Sequence, residues 1–124
     1  MASTYITRSN GSATGTTKGT ISVWFKKAKS GSAQYLYGAY IDSSNRFKIE
    51  LNSSDIVEIN NINGGSDTII MNTNRKLRDP SACYLLFFKV DTTQATEADR
   101  VKLYINGVQE TSFSSVTYPS QNDT

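Results

Sequence analysis

The most informative part of this chain reads LRDPSACYLLFFKVDTTQATEADRVKLYINGVQ, residues 77–109. Its apolar centre, Cys83 to Val90, is too short for a capped helix and rich in aromatic residues, which favours a β-strand. Side chains alternate between the two faces of a strand, and here both faces are almost wholly apolar. The pattern therefore predicts a central strand that lies between two packed layers.

The residues around this strand predict how the chain enters and leaves it. Asp79-Pro80 indicates a turn before the strand, because proline fixes φ and lacks a backbone donor. Val101 to Ile105 alternates apolar and polar residues, and Asn106-Gly107 is the favoured pair for a type I′ turn. We therefore expect a β-hairpin whose second strand runs from Val108 to Phe113.

The remaining sequence repeats this alternation of short strands and turns. Strands are predicted for Thr4 to Thr7, Thr20 to Lys26, Gln34 to Ile41, Arg46 to Leu51, Ile56 to Asn60 and Asp67 to Met71. Clusters of Gly, Ser, Asn and Asp separate them. Helical spacing is limited to a short turn around residues 94–98. The chain is therefore all-β, and the spacing indicates an antiparallel sandwich or barrel.

Composition limits the classes of function. The 124 residues allow one domain with a modest core. Thirteen basic and eleven acidic residues leave a formal charge of +2, which is too balanced to argue for nucleic acid or an anionic membrane as partner. No apolar run is long enough for membrane insertion, and the start of the chain does not have the pattern of a secretory signal peptide. A single cysteine rules out an intrachain disulfide.

The side chains that perform catalysis are sparse. The chain has no histidine, which removes Ser-His-Asp and Cys-His arrangements and His-containing metal sites. Cys83 lies in the apolar strand and is interpreted as a buried packing residue. A glycosidase needs two carboxylates that flank a sugar, and the four glutamates, Glu50, Glu58, Glu97 and Glu110, include no closely spaced pair on one strand. We therefore expect no enzymatic activity.

Two sets of residues are candidates for binding sites. Oxygen ligands for calcium are available in the turns, at Asp42, Asn45, Asp67, Asp91 and Asp99. The alternative for these residues is ordinary turn capping; in particular, Asp91 follows the central strand and is expected to bond to the next backbone N–H groups.

Aromatic side chains can stack on sugar rings, and the candidates on predicted strands are Trp24, Tyr35, Tyr37, Tyr40 and Tyr104. Alternation along Gln34 to Ile41 places Tyr35 and Tyr37 on one face and Tyr40 on the other. The alternative for each of these side chains is core or cross-strand packing.

Several segments together resemble a known family. They are Tyr5 to Arg8 (YITR), Thr20 to Lys27 (TISVWFKK), Arg78 to Ala82 (RDPSA), Val90 to Ala95 (VDTTQA) and Arg100 to Gly107 (RVKLYING). In this order they are similar to the LamG-like, concanavalin A-like jelly-roll domains of marine bacteriophage structural proteins. Cys83-Tyr84-Leu85 departs from that group, which usually has Trp-Tyr-His at this point.

The resemblance implies an antiparallel β-sandwich with the concanavalin A-like jelly-roll fold over residues 1–124. Members of the group continue past the NG hairpin into further strands, and residues 114–124, SSVTYPSQNDT, are poorly suited to supply interior ones. We therefore expect a sandwich that is incomplete within this chain, as the amino-terminal part of a longer domain or chain or completed by neighbouring subunits. Open edges would promote self-association.

The resemblance also implies a function. The expected protein is a non-enzymatic phage virion component, such as a capsid decoration, fibre or tail-associated protein, assembled in the host cytoplasm. Its partners would be other virion proteins and a glycan or host surface, and related sandwiches can hold calcium at a rim. The alternative is a carbohydrate-binding module of a secreted cellular protein.

Overall fold

The structure is a computed structural model, and it describes residues 15–124. The strands are β1 (Lys18–Lys26), β2 (Gln34–Asp42), β3 (Asn45–Leu51), β4 (Ile56–Asn63), β5 (Ser66–Lys76), β6 (Cys83–Asp91), β7 (Val101–Ile105), β8 (Val108–Gln109) and β9 (Phe113–Thr117). One four-residue helix, α1 (Glu97–Arg100), precedes β7. The predicted strand at Thr4 to Thr7 lies outside the described residues.

The strands form two antiparallel sheets. The four-stranded sheet has the order β1-β6-β7-β8, and the five-stranded sheet has the order β2-β3-β4-β5-β9. The two inner faces pack against each other around one cluster of buried side chains, which includes Ile49, Leu51, Val57, Ile59, Met71, Leu86, Phe88, Leu103 and Ile105. The predicted all-β antiparallel sandwich is confirmed.

Strand β6 occupies the interior position that its sequence predicts, between β1 and β7. Its inward residues, Tyr84, Leu86 and Phe88, are buried. Phe88 also stacks on Phe47 of the other sheet, with ring centroids 5.9 Å apart. This aromatic contact ties the centres of the two sheets together.

The outward face of β6 differs from the prediction. Leu85 and Phe87 are half-buried, and no second layer of described residues covers them. Cys83, expected to be a buried packing residue, is exposed, because it opens the strand on the outward face, opposite Lys26 of β1. A long apolar run therefore predicts a strand with neighbours on both edges, but it does not predict that a packed layer covers both faces of that strand.

A buried ion pair connects the two sheets at one end of the sandwich. The Lys27 ammonium, at the end of β1, bonds to the Asp55 carboxylate in the β3–β4 turn and donates to the Leu77 carbonyl at 2.9 Å. The Gly31 N–H donates to the same Asp55 oxygen at 2.9 Å. The hydrogen bond from Lys27 and that from Gly31 lower the pKa of Asp55. Chain segments from both sheets thus share one charged contact.

The NG hairpin is confirmed, and the segment after it corrects the prediction. Asn106 and Gly107 both have positive φ, 53° and 79°, as a type I′ turn requires. The predicted second strand is wrong in extent: β8 has only two residues, and the chain then crosses to the other sheet, where β9 pairs with β5. Residues 114–124 therefore contribute an edge strand and a buried proline, Pro119.

Candidate ligand-binding cleft

The structure separates the five aromatic candidates into three environments. Trp24 and Tyr104 lie on the outer face of the four-stranded sheet, on β1 and β7. Tyr35 and Tyr40 lie on the outer face of the five-stranded sheet and are each 72% exposed. Tyr37 lies on the inner face with its ring edge-on to Phe47, centroids 5.9 Å apart, and remains partly exposed at the edge of the sheet. The five residues therefore do not form one platform.

A β-bulge explains why Tyr37 departs from the predicted alternation. The register of β2 against β3 shifts between Tyr35 and Tyr37, and one extra residue in a strand moves the following side chains to the opposite face. Tyr37 consequently lies opposite the buried Ile49, while Tyr40 turns outward. The prediction that Tyr35 and Tyr37 share a face, with Tyr40 on the other, is wrong for this reason.

The bulge creates a cleft on the outer face of β2 and β3. Tyr35 lies opposite Glu50 and Tyr40 opposite Arg46, and between them Gly38 lies opposite Lys48. The cleft has a volume of about 540 Å³, with Tyr35 and Tyr40 among its walls and Gly38 in its lining. A Cβ atom at Gly38 would meet only the Phe47 carbonyl oxygen, at 3.7 Å. The cleft is therefore open at its centre because this residue has no side chain.

A charged network lies beside the cleft. The Lys48 ammonium donates to Glu50 Oε1 at 2.9 Å and to Glu58 Oε1 at 2.6 Å, and Asn52 Nδ2 donates to Glu58 Oε2 at 3.3 Å. Burial alone would lower the pKa of Lys48, but the hydrogen bonds and charges of Glu58 and Glu50 raise it overall. Glu50 lies on the outward face of β3 and is nevertheless buried within this network.

The cross-strand pair of Glu50 and Glu58 could not be recognised from the spacing of glutamates along the sequence. No two glutamates are closely spaced on one strand, but the β3–β4 hairpin places Glu50 directly opposite Glu58. The turn cluster at residues 52–55 was the available signal, since it fixes which residues of the two strands meet. A glycosidase places its substrate between two carboxyl groups; here the Lys48 ammonium bonds to both. Both carboxylates are therefore already bonded to one shared ammonium.

The calcium candidates are already bonded to protein groups. Asp42 accepts from the Ser44 N–H at 2.8 Å and from Asn45 Nδ2 at 3.1 Å. Asp67 accepts from Asn60 at 2.7 Å, and Asp99 pairs with Lys102 at 2.9 Å. Within residues 15–124 no three His, Cys, Asp or Glu side chains converge as metal ligands. The predicted calcium set is not assembled there.

Asp91 has the structural role that its position predicts. Its carboxylate accepts from the Thr93 hydroxyl at 2.6 Å, from Gln94 Nε2 at 2.9 Å and from the Thr93 N–H at 3.3 Å. Lys18 lies 3.6 Å away. These contacts, chiefly the bond from the Thr93 hydroxyl, lower the pKa of Asp91 to about 2. The carboxylate turns the chain after β6.

A second cavity, of about 290 Å³, opens between the two sheets. Its walls include Ile21, Phe47, Phe88 and Val90, which continue into the core. The cleft on β2 and β3 is the better candidate site, because it combines two exposed tyrosines with charged groups that can orient a polar ligand.

Comparison with known proteins identifies the fold family. A family model described as the concanavalin A-like lectin/glucanases superfamily matches residues 1–124. No curated protein and no solved structure matches the chain. Among the described residues, no helix is long and apolar enough to cross a membrane.

Proposed function

Since the chain belongs to the concanavalin A-like lectin/glucanases superfamily, we propose that it is a non-enzymatic carbohydrate-binding protein. The observation that carries this proposal is the cleft between Tyr35 and Tyr40. Two exposed aromatic rings on one sheet face, with an open floor between them, provide apolar surfaces for sugar rings. The Arg46 guanidinium, which lines the cleft, can bond to polar groups of a ligand and so fix its orientation.

Paired alanine variants on the two sheets test this proposal. Tyr35→Ala with Tyr40→Ala should abolish oligosaccharide binding, measured by isothermal titration calorimetry after a glycan-array screen. Trp24→Ala with Tyr104→Ala removes a similar aromatic area from the opposite sheet and should leave binding unchanged. Equal losses in both variants, or no binding by the unmodified protein to any glycan on the array, would contradict the proposal.

We further propose that this binding serves a phage particle, on which the chain is a capsid decoration, fibre or tail-associated component assembled in the host cytoplasm. The support is the resemblance carried by residues 78–82, 90–95 and 100–107. The exposed Trp24, with Leu85, Phe87 and Tyr104 beside it on the four-stranded sheet, offers an apolar surface for other virion proteins or a second copy of the chain.

Mass spectrometry of purified particles tests the virion proposal. The chain should be present at a stoichiometry that fits a structural component. Its absence from particles, together with recovery from a secreted cellular fraction, would favour a carbohydrate-binding module of a secreted protein instead.

Sedimentation equilibrium tests self-association. The unmodified protein should form oligomers at micromolar concentration, and Trp24→Ser should weaken them. A stable monomer would show that the four-stranded face does not drive self-assembly.

A further inference from the structure

The charges of the cleft are distributed unevenly along its length. Arg46 lines the cleft at its Tyr40 end, and Glu50, next to Glu58, lies opposite Tyr35 just outside the lining. Arg46 and Glu50 are four residues apart on one strand, which places their Cα atoms about 13 Å apart. Lys48 lies between them and bonds to both glutamates. One end of the cleft is therefore cationic, and a carboxylate pair that shares one ammonium lies beside the other end.

The Arg46 guanidinium has unused hydrogen-bonding capacity. It donates from Nη1 to the Ser43 carbonyl at 3.2 Å, and among the described residues no carboxylate lies within ion-pair distance of it. Residues 1–14 contain no Asp or Glu that could pair with it. A guanidinium has five donors in a planar fork that matches a carboxylate. Arg46 is half-buried and lines the cleft, so a ligand can complete its bonds.

We propose that the cleft selects oligosaccharides that carry a single carboxylated ring, with that carboxylate on Arg46 beside Tyr40 and neutral rings extending toward Glu50. This inference rests on the carbohydrate-binding function proposed above and specifies its ligand class. A uniformly anionic chain fits less well, because its charges would approach Glu50 and Glu58 beside the Tyr35 end. The ligand class is thus a uronic acid joined to neutral sugars.

Three matched trisaccharides test this ligand class. The probes are β-linked glucose trisaccharide, the same chain with one terminal glucuronic acid, and the chain with glucuronic acid at all positions. At low salt the singly charged probe should bind about tenfold more tightly than the neutral one, as expected for a charge-assisted hydrogen-bonded pair. Its advantage should shrink as salt rises, whereas the affinity for the neutral probe should change little.

Two variants that each remove one arginine charge test whether Arg46 causes the preference for the singly charged probe. Arg46→Gln should bind the singly charged and the neutral probe with equal affinity, so that the preference for the carboxylated ring disappears. Arg75→Gln removes the same charge at an exposed position of β5 that does not line the cleft and should have no effect. Gly38→Val should block all probes, because its side chain enters the cleft without a backbone clash; circular dichroism and Tm confirm that each variant is folded.

The possible results separate this inference from the function on which it rests. Equal affinities for the neutral and singly charged probes would overturn the selectivity while the carbohydrate-binding proposal stands. Tightest binding of the fully charged probe would also overturn it, since the glutamate end would then not oppose anions. An unchanged preference in Arg46→Gln would overturn the role of Arg46. Failure of every probe and of the glycan array would overturn both proposals.

Discussion

The two outer faces of this sandwich differ although they belong to strands that share one core. The five-stranded face has a charged network of Lys48, Glu50 and Glu58 beside the tyrosine cleft. The four-stranded face has Trp24, with 69% of its surface exposed, and the half-buried Phe87. One face thus pairs the charges of Lys48, Glu50 and Glu58 with one another, and the other leaves the Trp24 ring in water.

This difference shows that alternation identifies the inner face of a strand but not what stabilises its outer face. Glu50 is buried because Lys48 and the neighbouring strand enclose it. Phe87 is half-buried because it packs edge-on against Tyr104 of β7, with centroids 5.8 Å apart. A charged residue and an aromatic residue can thus both lose exposure on an outward face, through contacts that cross strands.

The largest predicted effect is a loss of stability, and it should differ between two adjacent phenylalanines of β6. Phe88→Ala should lower the free energy of unfolding by about 3–5 kcal/mol, because the ring is fully buried and stacked between the sheets. Phe87→Ala should cost much less, since that ring faces outward and is half-buried. Urea denaturation of both variants measures the difference. Equal costs would mean that the outer face of the four-stranded sheet is as enclosed as the core.

The next prediction compares one lysine on each outer face. Lys48→Met should cost about 1–3 kcal/mol, because it leaves two adjacent carboxylates without their shared donor. Lys89→Met, on the four-stranded face, should stay within about 0.5 kcal/mol of the unmodified protein. Because the pKa of Lys48 is raised from its usual 10.5, its contribution should be complete below that pH and be lost as pH rises further. A Lys48→Met cost that persisted unchanged at alkaline pH would contradict the charged network.

These residues also show where sequence reasoning succeeds and where it cannot. The inner positions of β3 and β6 and the NG turn follow from local patterns, because side-chain period and turn chemistry are local properties. The face on which Tyr37 lies depends on the bulge in β2. The Glu50–Glu58 pair depends on the register between β3 and β4. Both are set by how two segments pair, so no single segment reveals them.

The crossing to β9 was missed for a similar reason. Residues 113–117, FSSVT, have too little apolar alternation to be recognised as a strand, and they are positioned by pairing with β5. The half-buried Phe113 packs against the core cluster, and the tail beyond it bonds to Thr92 through the Asn122 N–H at 2.8 Å. Tertiary contacts thus determine this strand, and local propensity does not.

Acid should destabilise the four-stranded sheet by protonating Asp91, whose pKa is about 2 in the folded protein. A carboxyl group with a lowered pKa contributes stability above its unfolded value of 3.8, and this contribution is lost as pH falls toward 2. Thr93→Val removes the strongest hydrogen bond to that carboxylate, so it should move the acid-unfolding midpoint to higher pH.

Thr96→Val is the matched control for that measurement, because Thr96 makes no side-chain cap bond to α1. Acid unfolding followed by tryptophan fluorescence reports the midpoints of all three proteins. Identical midpoints for Thr93→Val and the unmodified protein would show that protonation of Asp91 does not determine the pH at which the protein unfolds. The Lys27–Asp55 pair would then be the next group to test.

The smallest predicted effect concerns Cys83, at the start of β6 on the outer face of the four-stranded sheet. Because the residue is exposed, Cys83→Ser should change the free energy of unfolding by less than about 0.5 kcal/mol. A maleimide should label one thiol per chain in the native protein without denaturant, and a bulky label there should weaken self-association while leaving oligosaccharide binding intact. Labelling that requires denaturant would mean that the face is covered, and loss of oligosaccharide binding on labelling would mean that the two faces do not act independently.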